Sequence, residues 1–183
     1  VLDAGCGTGY GAKRLARLAE HVDAVDVCED AIGFARRTYA DEKVSWQVAD
    51  LLAFEPEEGT YDLVTSFEVI EHLSEAEIPV YLDCVQRALK PGGVALISTP
   101  NHLVAQQWDN PFHKTEMTLD AFRNVLAPVF GDVIVLGQTV WSDRTEVPGQ
   151  CAISGRVTDE DDMFIAVCTR RVVSGKRPSD IPP

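Results

Sequence analysis

Two glutamates and a histidine lie within five residues of one another in the segment Phe67-Glu68-Val69-Ile70-Glu71-His72-Leu73. If Glu68 opens a helical turn, Glu68, Glu71 and His72 occupy positions i, i+3 and i+4 and share one face. Carboxylates and imidazole together can bind a divalent metal ion such as Mg²⁺ or Mn²⁺. Without a metal, the glutamates can contact a cofactor or cap the turn, and the imidazole can accept a proton as a general base. Both interpretations stay open, and both predict that this segment takes part in catalysis or in cofactor binding.

A further histidine, His113, lies in the segment Asn110-Pro111-Phe112-His113-Lys114-Thr115-Glu116. We expect this segment to fold back over the carboxyl ends of the strands, which would make His113 a fourth metal ligand or a general base beside His72. Histidine suits the second role because its ordinary pKa of about 6.5 lies close to neutral pH. The predicted catalytic residues are therefore His72, His113 and Glu71. The predicted metal ligands are Glu68, Glu71, His72 and His113.

Four alternating glycines mark the amino terminus, in the run Val1-Leu2-Asp3-Ala4-Gly5-Cys6-Gly7-Thr8-Gly9-Tyr10-Gly11-Ala12. A short apolar run ends in an acid before the glycines, and a helix-forming segment follows them. Glycines let the backbone turn tightly and approach a ligand, because no Cβ is in the way. The N–H groups at the start of the following helix favour anionic groups such as phosphates or carboxylates. The pattern predicts a loop that binds a nucleotide cofactor.

The glycine pattern alone leaves the class of cofactor open. The spacing Gly7-x-Gly9-x-x-Ala12 aligns with the dinucleotide fingerprint, and Asp26 lies about 20 residues further on, at the end of the second predicted strand. A carboxylate at that position can accept hydrogen bonds from both hydroxyls of any ribose. These two features fit an NAD-binding oxidoreductase and also other enzymes whose cofactor contains adenosine.

Apolar runs alternate with helical patterns over the first hundred residues, which is typical of a parallel sheet with helices on both faces. The predicted strands are Val1–Ala4, Val22–Val27, Val44–Val48, Tyr61–Phe67, Val94–Ser98, Val133–Leu136 and Met163–Cys168. The predicted helices are Ala12–Leu18, Ala31–Tyr39, Glu75–Leu89 and one that starts near Thr118. The last two strands have no helical pattern between them, so we expect an antiparallel pair. The stretch that connects them, Gly137–Asp162, is predicted to be a solvated loop, with a lid over the active site as the alternative.

The chain resembles the class I S-adenosylmethionine-dependent methyltransferases over nearly its whole length. Five segments carry the resemblance in order, namely Leu2-Asp3-Ala4-Gly5-Cys6-Gly7-Thr8-Gly9, the strand-end acid Asp26, Val48-Ala49-Asp50-Leu51, Tyr61-Asp62-Leu63-Val64-Thr65-Ser66-Phe67 and Leu89-Lys90-Pro91-Gly92-Gly93. The resemblance implies an α/β fold with a Rossmann-like, doubly wound sheet of seven strands. That sheet is mostly parallel, and its last strand is antiparallel.

The resemblance also implies S-adenosylmethionine as the cofactor and assigns residues to it. The implied cofactor-binding residues are Asp3, Gly5, Gly7, Gly9, Tyr10, Asp26, Val27, Asp50, Leu51, Phe67 and Glu68. The glycine turn would approach the aminoacyl part, and Asp3 would order the loop or meet the ammonium group through water. Asp26 would hold the ribose hydroxyls, while Asp50, which accepts hydrogen bonds only when ionised, would take the adenine amine. The alternative for both acids is to cap the turn that follows each strand.

The Glu-x-x-Glu-His segment resembles two metal-dependent branches of the family, quinone-precursor O-methyltransferases and small-RNA 3′-terminal 2′-O-methyltransferases. It also occurs in many members with no metal assigned, so the metal stays open. The resemblance implies O-methylation of a small hydroxylated metabolite such as a sugar, a glycan precursor, a phenol or a quinol. Metal-dependent RNA 2′-O-methylation and an NAD-dependent oxidoreductase are the alternatives, and a regulatory domain that only binds the cofactor is a further hypothesis.

The charge balance bears on the partners. The chain of 183 residues carries 29 acidic and 16 basic side chains, a net charge of −13, and a nucleic-acid surface needs clustered lysine and arginine. Nucleic acid is therefore an unexpected partner, and a small-molecule substrate is the expected one. The sequence has no signal peptide and no membrane-spanning run, so we expect a cytoplasmic protein without a membrane partner. The oligomeric state stays open, with a homodimer as one option.

The chain length fits one methyltransferase domain over residues 1–170, followed by a flexible tail over residues 171–183. Because Val1 lies inside the first predicted strand, we expect the native protein to continue upstream. The five cysteines are odd in number and lack CxxC spacing, which predicts reduced thiols and neither disulfides nor zinc ligands.

Overall fold

The structure is a computed structural model that describes residues 1–105, 110–139 and 152–170. Its strands are β1 Leu2–Ala4, β2 Val22–Asp26, β3 Val44–Val48, β4 Tyr61–Phe67, β5 Leu89–Pro100, β6 Val133–Thr139, β7 Ala152–Ser154 and β8 Met163–Thr169. Its helices are α1 Tyr10–Leu15, α2 Glu29–Thr38, α3 Ile78–Ala88, α4 His102–Ala105 and α5 Leu119–Leu126, with a single 3₁₀ turn at Ile70–His72. The predicted tail lies outside the described residues.

The described strands form one sheet in the order β3-β2-β1-β4-β5-β8-β6-β7. Strands β1 to β5 pair in parallel, and β8 pairs antiparallel with both β5 and β6. These pairings confirm the predicted Rossmann-like sheet and its antiparallel last strand. The chain runs outward from β1 to β3 and then returns to place β4 on the other side of β1. Such a switch point opens a crevice at the carboxyl ends of the strands, where ligands bind in folds of this class.

The prediction of seven strands was wrong by one, because β7 forms an eighth at the edge of the sheet. Its three residues are all exposed and pair antiparallel with Gly137–Thr139 of β6. An exposed edge strand is held by backbone hydrogen bonds, so it leaves little apolar pattern in the sequence. The prediction of a solvated loop was also wrong for Asp161 and Asp162, which are buried. Residues 140–151, in the same stretch, lie outside the described residues.

Several element boundaries differ from the predictions for local reasons. The helix predicted from Glu75 begins at Ile78. A turn precedes it, in which the Glu77 carboxylate accepts hydrogen bonds from the Ser74 N–H (2.7 Å) and hydroxyl (2.8 Å). The helix predicted to start near Thr118 begins at Leu119, and Thr118 caps it, since its hydroxyl accepts from the Ala121 N–H at 3.3 Å. The strand predicted as Val94–Ser98 is longer in the structure, where β5 has an irregular start at Leu89 and ends at Pro100.

Helices cover both faces of the sheet. The larger apolar cluster lies on the face packed against α3 and α5, and its largest fully buried aromatic side chains are Tyr81, Phe122, Phe130 and Phe164. A smaller cluster on the other face includes α1 and consists of Ala12, Ala16, Val22, Ala24 and Val44. The strands in between therefore form a rigid platform whose carboxyl ends carry the site described next. Among the described helices, none is apolar over a length that could cross a membrane.

Candidate functional site

A cavity of about 580 Å³ opens at the carboxyl ends of β1, β2, β3 and β4. Parallel strands bring the residues that follow them to one edge of the sheet, so positions far apart in sequence meet here. Eight of the predicted cofactor residues line this cavity, namely Gly5, Gly7, Asp26, Val27, Asp50, Leu51, Phe67 and Glu68. The predicted catalytic residue His72 lines it too.

Three predicted cofactor residues lie outside the cavity, in the glycine loop or beside it. Asp3 is buried and accepts a hydrogen bond from the Thr65 hydroxyl at 2.8 Å, and its burial raises its pKa to about 6. Gly9 packs so closely that a Cβ there would lie 2.6 Å from the Trp46 ring. Tyr10 is exposed, and its hydroxyl accepts from the Arg14 guanidinium at 2.8 Å. The structure therefore does not bring these three residues to the cavity.

The glycine loop is packed at one residue and open at another. Gly5 and Gly7 have φ angles of +81° and +52°, which an L side chain rarely adopts. A Cβ on Gly5 would overlap the Cγ2 atom of Val69. A Cβ on Gly7 would meet no described atom within 4 Å, and Gly7 lines the cavity. The loop thus fits tightly against the fold at Gly5 and exposes bare backbone to the cavity at Gly7.

The two strand-end acids line the cavity and also hold turns. Asp26 accepts hydrogen bonds from the Gly7 N–H at 2.7 Å and from the Cys28 N–H at 2.8 Å. It therefore ties the glycine loop to the start of α2. Asp50 accepts from the Leu52 N–H at 2.9 Å through one carboxylate oxygen. The turn-capping alternative is thus present at both positions, and each carboxylate still has accepting capacity for a ligand.

Glu68 has a strained backbone that its neighbour Ser98 holds in place. Its φ angle is +57°, and among the described residues it is the one non-glycine residue with a positive φ. The Ser98 hydroxyl accepts from the Glu68 N–H at 3.1 Å and donates to Glu68 Oε1 at 2.6 Å. The prediction that Glu68 opens a helical turn was therefore wrong, because the turn begins at Ile70. Burial raises the pKa of the Glu68 carboxyl, although Ser98 and two nearby histidines oppose the shift.

Glu71 is a fully buried acid with an unpaired oxygen. Its Oε1 atom makes no hydrogen bond to any described residue, and its Oε2 atom lies 3.5 Å from the Thr99 hydroxyl. Burial, together with repulsion from Glu68, raises the pKa of Glu71 to about 8. An unsatisfied buried carboxylate oxygen is costly, so it points to a ligand or a proton at this position.

His72 and His113 form a pair of imidazole rings. Their centroids are 5.1 Å apart and the ring planes meet at 76°. The Nδ1 atom of His72 lies 3.0 Å from the Phe112 carbonyl oxygen. Because a carbonyl can only accept, Nδ1 carries the proton, and in the neutral ring Nε2 remains as an acceptor. The loop that holds Phe112 is fixed in turn, since the Glu71 carbonyl accepts from the N–H groups of Lys114 (2.8 Å) and Thr115 (3.0 Å).

The structure brings three of the four predicted metal ligands together. One ligating atom each from Glu71, His72 and His113 lies within 4.8 Å of the others. Glu68 does not belong to this group. Both ring nitrogens of His113 already have hydrogen-bond partners, Glu116 at 3.1 Å and Asn110 at 2.8 Å. A metal ion at His113 would therefore have to replace one of these contacts.

Three further residues support the site although the sequence did not predict them, namely Ser98, Asn110 and Glu116. Ser98 lies in the middle of a strand pattern, and its link to Glu68 arises from the parallel pairing of β4 with β5. No local signal could reveal that link. Asn110 and Glu116 flank His113 at three residues on each side, so their spacing was a usable signal.

The sheet topology and the position of the cavity are those of a class I methyltransferase. Comparisons with known proteins agree. A family model described as a methyltransferase domain matches residues 1–93. A probable S-adenosylmethionine-dependent methyltransferase of Mycobacterium tuberculosis is 35% identical over 142 residues, covering 75% of this chain and 50% of that protein. A ubiquinone biosynthesis O-methyltransferase of Methylocella silvestris is 34% identical over 104 residues, covering 55% of this chain and 40% of that protein.

Solved structures share the fold. The N-methyltransferase NodS from Bradyrhizobium japonicum, solved with S-adenosylhomocysteine, matches with a TM-score of 0.67 and 20% identity, covering 92% of this chain and 76% of that chain. The chain belongs to the class I S-adenosylmethionine-dependent methyltransferase family. It spans about half the length of the curated relatives it matches.

Proposed function

We propose that this chain binds S-adenosylmethionine in the cavity at the ends of β1 to β4 and transfers its methyl group to a hydroxyl of a small metabolite. One observation carries the proposal: a single cavity joins the bare backbone of Gly7, the acids Asp26 and Asp50, and the imidazole of His72. In the proposed binding mode, Asp26 accepts from the ribose hydroxyls and Asp50 accepts from the adenine amine. Gly7 leaves room for the aminoacyl part.

The hydrogen bond between Gly7 and Asp26 supports this cofactor over NAD. A dinucleotide fold uses the N–H groups of its glycine loop to bind a pyrophosphate. Here the Gly7 N–H donates to the Asp26 carboxylate at 2.7 Å. That donor is already used, and the carboxylate would repel a phosphate brought close to the loop. S-adenosylmethionine carries no phosphate, so the same arrangement does not oppose its binding.

His72 is the base in the proposed reaction. When bound, the cofactor supplies an electrophilic methyl group on a sulfonium. The Phe112 carbonyl fixes the proton of His72 on Nδ1, which leaves Nε2 to take the proton of the acceptor hydroxyl. The oxygen lone pair then forms the bond to the methyl carbon as the carbon–sulfur bond breaks and its electron pair stays on sulfur. The protein contributes mainly by holding the hydroxyl, the methyl group and the base in line.

Binding of S-adenosylhomocysteine tests the cofactor assignment, and the variant Asp50→Asn tests its orientation. The asparagine keeps an oxygen for the Leu52 N–H but replaces the second acceptor by an NH₂ donor, which would face the adenine amine. Losing a hydrogen bond to a charged group costs about 1.5–3 kcal/mol, so calorimetry should show binding weakened by about 10- to 150-fold.

The variant Asp30→Asn is the matched control, since Asp30 is exposed in the first turn of α2 and should leave binding unchanged. Equal affinity in Asp50→Asn and the parent chain would contradict the proposed role of Asp50. Binding of NAD without binding of S-adenosylhomocysteine would overturn the methyltransferase assignment in favour of an oxidoreductase.

The curated relatives named for ubiquinone biosynthesis support a hydroxyl as the acceptor, at 34% identity over part of the chain. Two aromatic side chains at or near the cavity are partly exposed, Phe67 at 44% and Phe112 at 74%, which suits an acceptor with an apolar ring or body. A screen of sugars, phenols and quinols with labelled cofactor identifies the acceptor. Labelling of an amine in place of every hydroxylated compound would overturn the proposed O-methylation.

As the alternative to His72 acting as the base, we propose a divalent metal site at Glu71, His72 and His113, in which His72 would be a ligand and not the base. The residues fit this site in part. The unpaired Oε1 atom of Glu71 and two imidazoles are suitable ligands, whereas the bonds of His113 to Asn110 and Glu116 oppose it. A bound ion would lower the pKa of a coordinated hydroxyl. The cluster does not by itself favour RNA as the substrate, because a net charge of −13 opposes a phosphate backbone.

Titration with Mn²⁺ tests the metal site. If the site exists, calorimetry should show binding to the parent chain and at least about tenfold weaker binding to Glu71→Gln, since an amide is a poorer ligand than a carboxylate. The variant Glu77→Gln is a useful control, because Glu77 lines the same cavity but lies outside the three-residue cluster. If the chelator EDTA leaves the rate of methyl transfer unchanged and Mn²⁺ does not bind, the proposed metal site is wrong.

A further inference from the structure

We infer that Glu116 is a positioning residue for the reaction, because its carboxylate joins two histidines and holds the loop that orients the base His72. The inference rests on the proposed function, in which His72 takes the proton of the acceptor. Glu116 itself does not line the proposed cofactor cavity. Its effect is therefore exerted through His113 and the loop of residues 110–116.

Each oxygen of the Glu116 carboxylate contacts a different imidazole. Its Oε1 atom lies 3.1 Å from His113 Nδ1, and its Oε2 atom lies 3.1 Å from His102 Nδ1. The Glu116 side chain is 19% exposed, so water competes little for these contacts. A carboxylate can accept two hydrogen bonds at once, one at each oxygen, and no neutral side chain of similar shape can do so. The two histidines come from different segments, since His102 begins α4 and His113 lies in the loop.

The hydrogen bonds around Asn110 decide which nitrogen of His113 carries the proton. The Asn110 Oδ1 atom accepts from the Phe112 N–H at 3.1 Å, which turns the amide nitrogen towards His113. That nitrogen lies 2.8 Å from His113 Nε2 and donates to it. Nε2 of His113 is therefore an acceptor, and Nδ1 carries the proton that Glu116 accepts. These hydrogen bonds allow one placement of the proton on His113. If His102 also donates from Nδ1, Glu116 must accept at both of its oxygen atoms.

The same loop sets the direction of His72. Phe112 lies between Asn110 and His113 in the chain, and its carbonyl oxygen accepts from His72 Nδ1 at 3.0 Å. The ring of His113 also packs edge-to-face against the ring of His72. A shift of His113 would therefore move both the carbonyl that holds His72 and the ring beside it. Small displacements of a base reduce transfer strongly, because proton transfer needs hydrogen-bond distance.

Nuclear magnetic resonance of the imidazole nitrogens in Glu116→Gln tests the hydrogen-bond assignment. Glutamine offers one accepting oxygen, and its nitrogen can only donate. One of the two histidines must then lose its bond or present Nδ1 as an acceptor, with the proton moved to Nε2. The spectra are to be recorded at about pH 8.5, two units above the ordinary pKa of histidine. The chain has four histidines, so single substitutions assign every signal.

In the parent chain we expect the Nδ1–H form at His113 and at His72. In Glu116→Gln we expect changed imidazole nitrogen shifts at His113 or at His102, from a lost hydrogen bond or a change of tautomer. The control is Glu58→Gln, because the Glu58 carboxylate pairs with Arg170 at 2.8 Å and contacts no histidine among the described residues. This variant should leave every imidazole signal in place. Unchanged nitrogen shifts of both His102 and His113 in Glu116→Gln would overturn the inference. This measurement needs no cofactor and no acceptor, so its result stands apart from that of the proposed function.

Steady-state transfer, with an acceptor found by screening, separates positioning from a structural role. For Glu116→Gln we expect kcat to fall by about tenfold, or about 1.4 kcal/mol, with KM for S-adenosylmethionine within about twofold of the parent value. Glu58→Gln should match the parent in both parameters. A raised KM for the cofactor with unchanged kcat would overturn the inference, since it would mean that Glu116 supports the cofactor cavity.

Discussion

Replacing His72 by asparagine is expected to reduce kcat by about 10² to 10⁴-fold, the usual contribution of a positioned general base. Asparagine is the informative choice, because its side-chain NH₂ can take the place of Nδ1 and keep the hydrogen bond to the Phe112 carbonyl. The loop then stays in place, and only the Nε2 acceptor is lost. The loss should be larger for an aliphatic alcohol than for a phenol, whose ordinary pKa of about 10 makes its proton easier to remove.

The measurement is kcat for methyl transfer, with binding of S-adenosylhomocysteine measured in parallel. Binding should stay within about twofold of the parent value, since His72 is assigned to the acceptor side of the cavity. The matched control is His21→Asn, because His21 contacts Asp23 and Ser45 near the amino ends of β2 and β3, at the opposite edge of the sheet from the cavity. A His72→Asn variant that retains more than about a third of the parent kcat would show that another group removes the proton.

The sequence predicted the fold well, because its signals are local and repeat along the chain. A strand followed by glycines, and alternating apolar and helical patterns, are sufficient to predict a doubly wound sheet. The edge strand β7 escaped prediction for the opposite reason. Its backbone pairs with Gly137–Thr139, but its three exposed residues have no buried face to mark them.

The candidate site was predictable where parallel strands alone bring residues together. Asp26 ends β2 and Asp50 follows the neighbouring strand β3, so the topology of the sheet brings both to one cavity. The position of the Glu68 side chain could not be predicted in this way. Its positive φ angle takes it out of the helical spacing that was assumed, and Ser98, which holds its carboxylate, lies 30 residues away in the sequence. The spacing Glu-x-x-Glu-His therefore predicted a shared face that the structure does not form. Glu71 and His72 instead meet His113, which comes from another segment.

Replacing Gly5 by alanine is expected to destabilise the fold by about 2–6 kcal/mol, the sum of a strained φ and a steric overlap in a packed region. The φ angle of +81° is unfavourable for alanine, and the new Cβ would overlap Val69 Cγ2. The quantity to measure is the free energy of unfolding in urea. In the double variant Gly5→Ala/Val69→Ala the overlapping methyl group is absent, so part of the loss should be recovered while the backbone strain remains.

Gly7→Ala is the matched control, because it changes the same loop without an overlap. Its φ of +52° lies in the left-handed region that alanine reaches at a cost of about 1–2 kcal/mol, and its Cβ would meet no described atom within 4 Å. Stability should therefore fall less than in Gly5→Ala, whereas affinity for S-adenosylhomocysteine should fall by at least about tenfold as the methyl group enters the space left for the ligand. If Gly5→Ala unfolds with the parent free energy, the packing of the loop against Val69 is wrong. If Gly7→Ala binds as tightly as the parent chain, the ligand does not lie against Gly7.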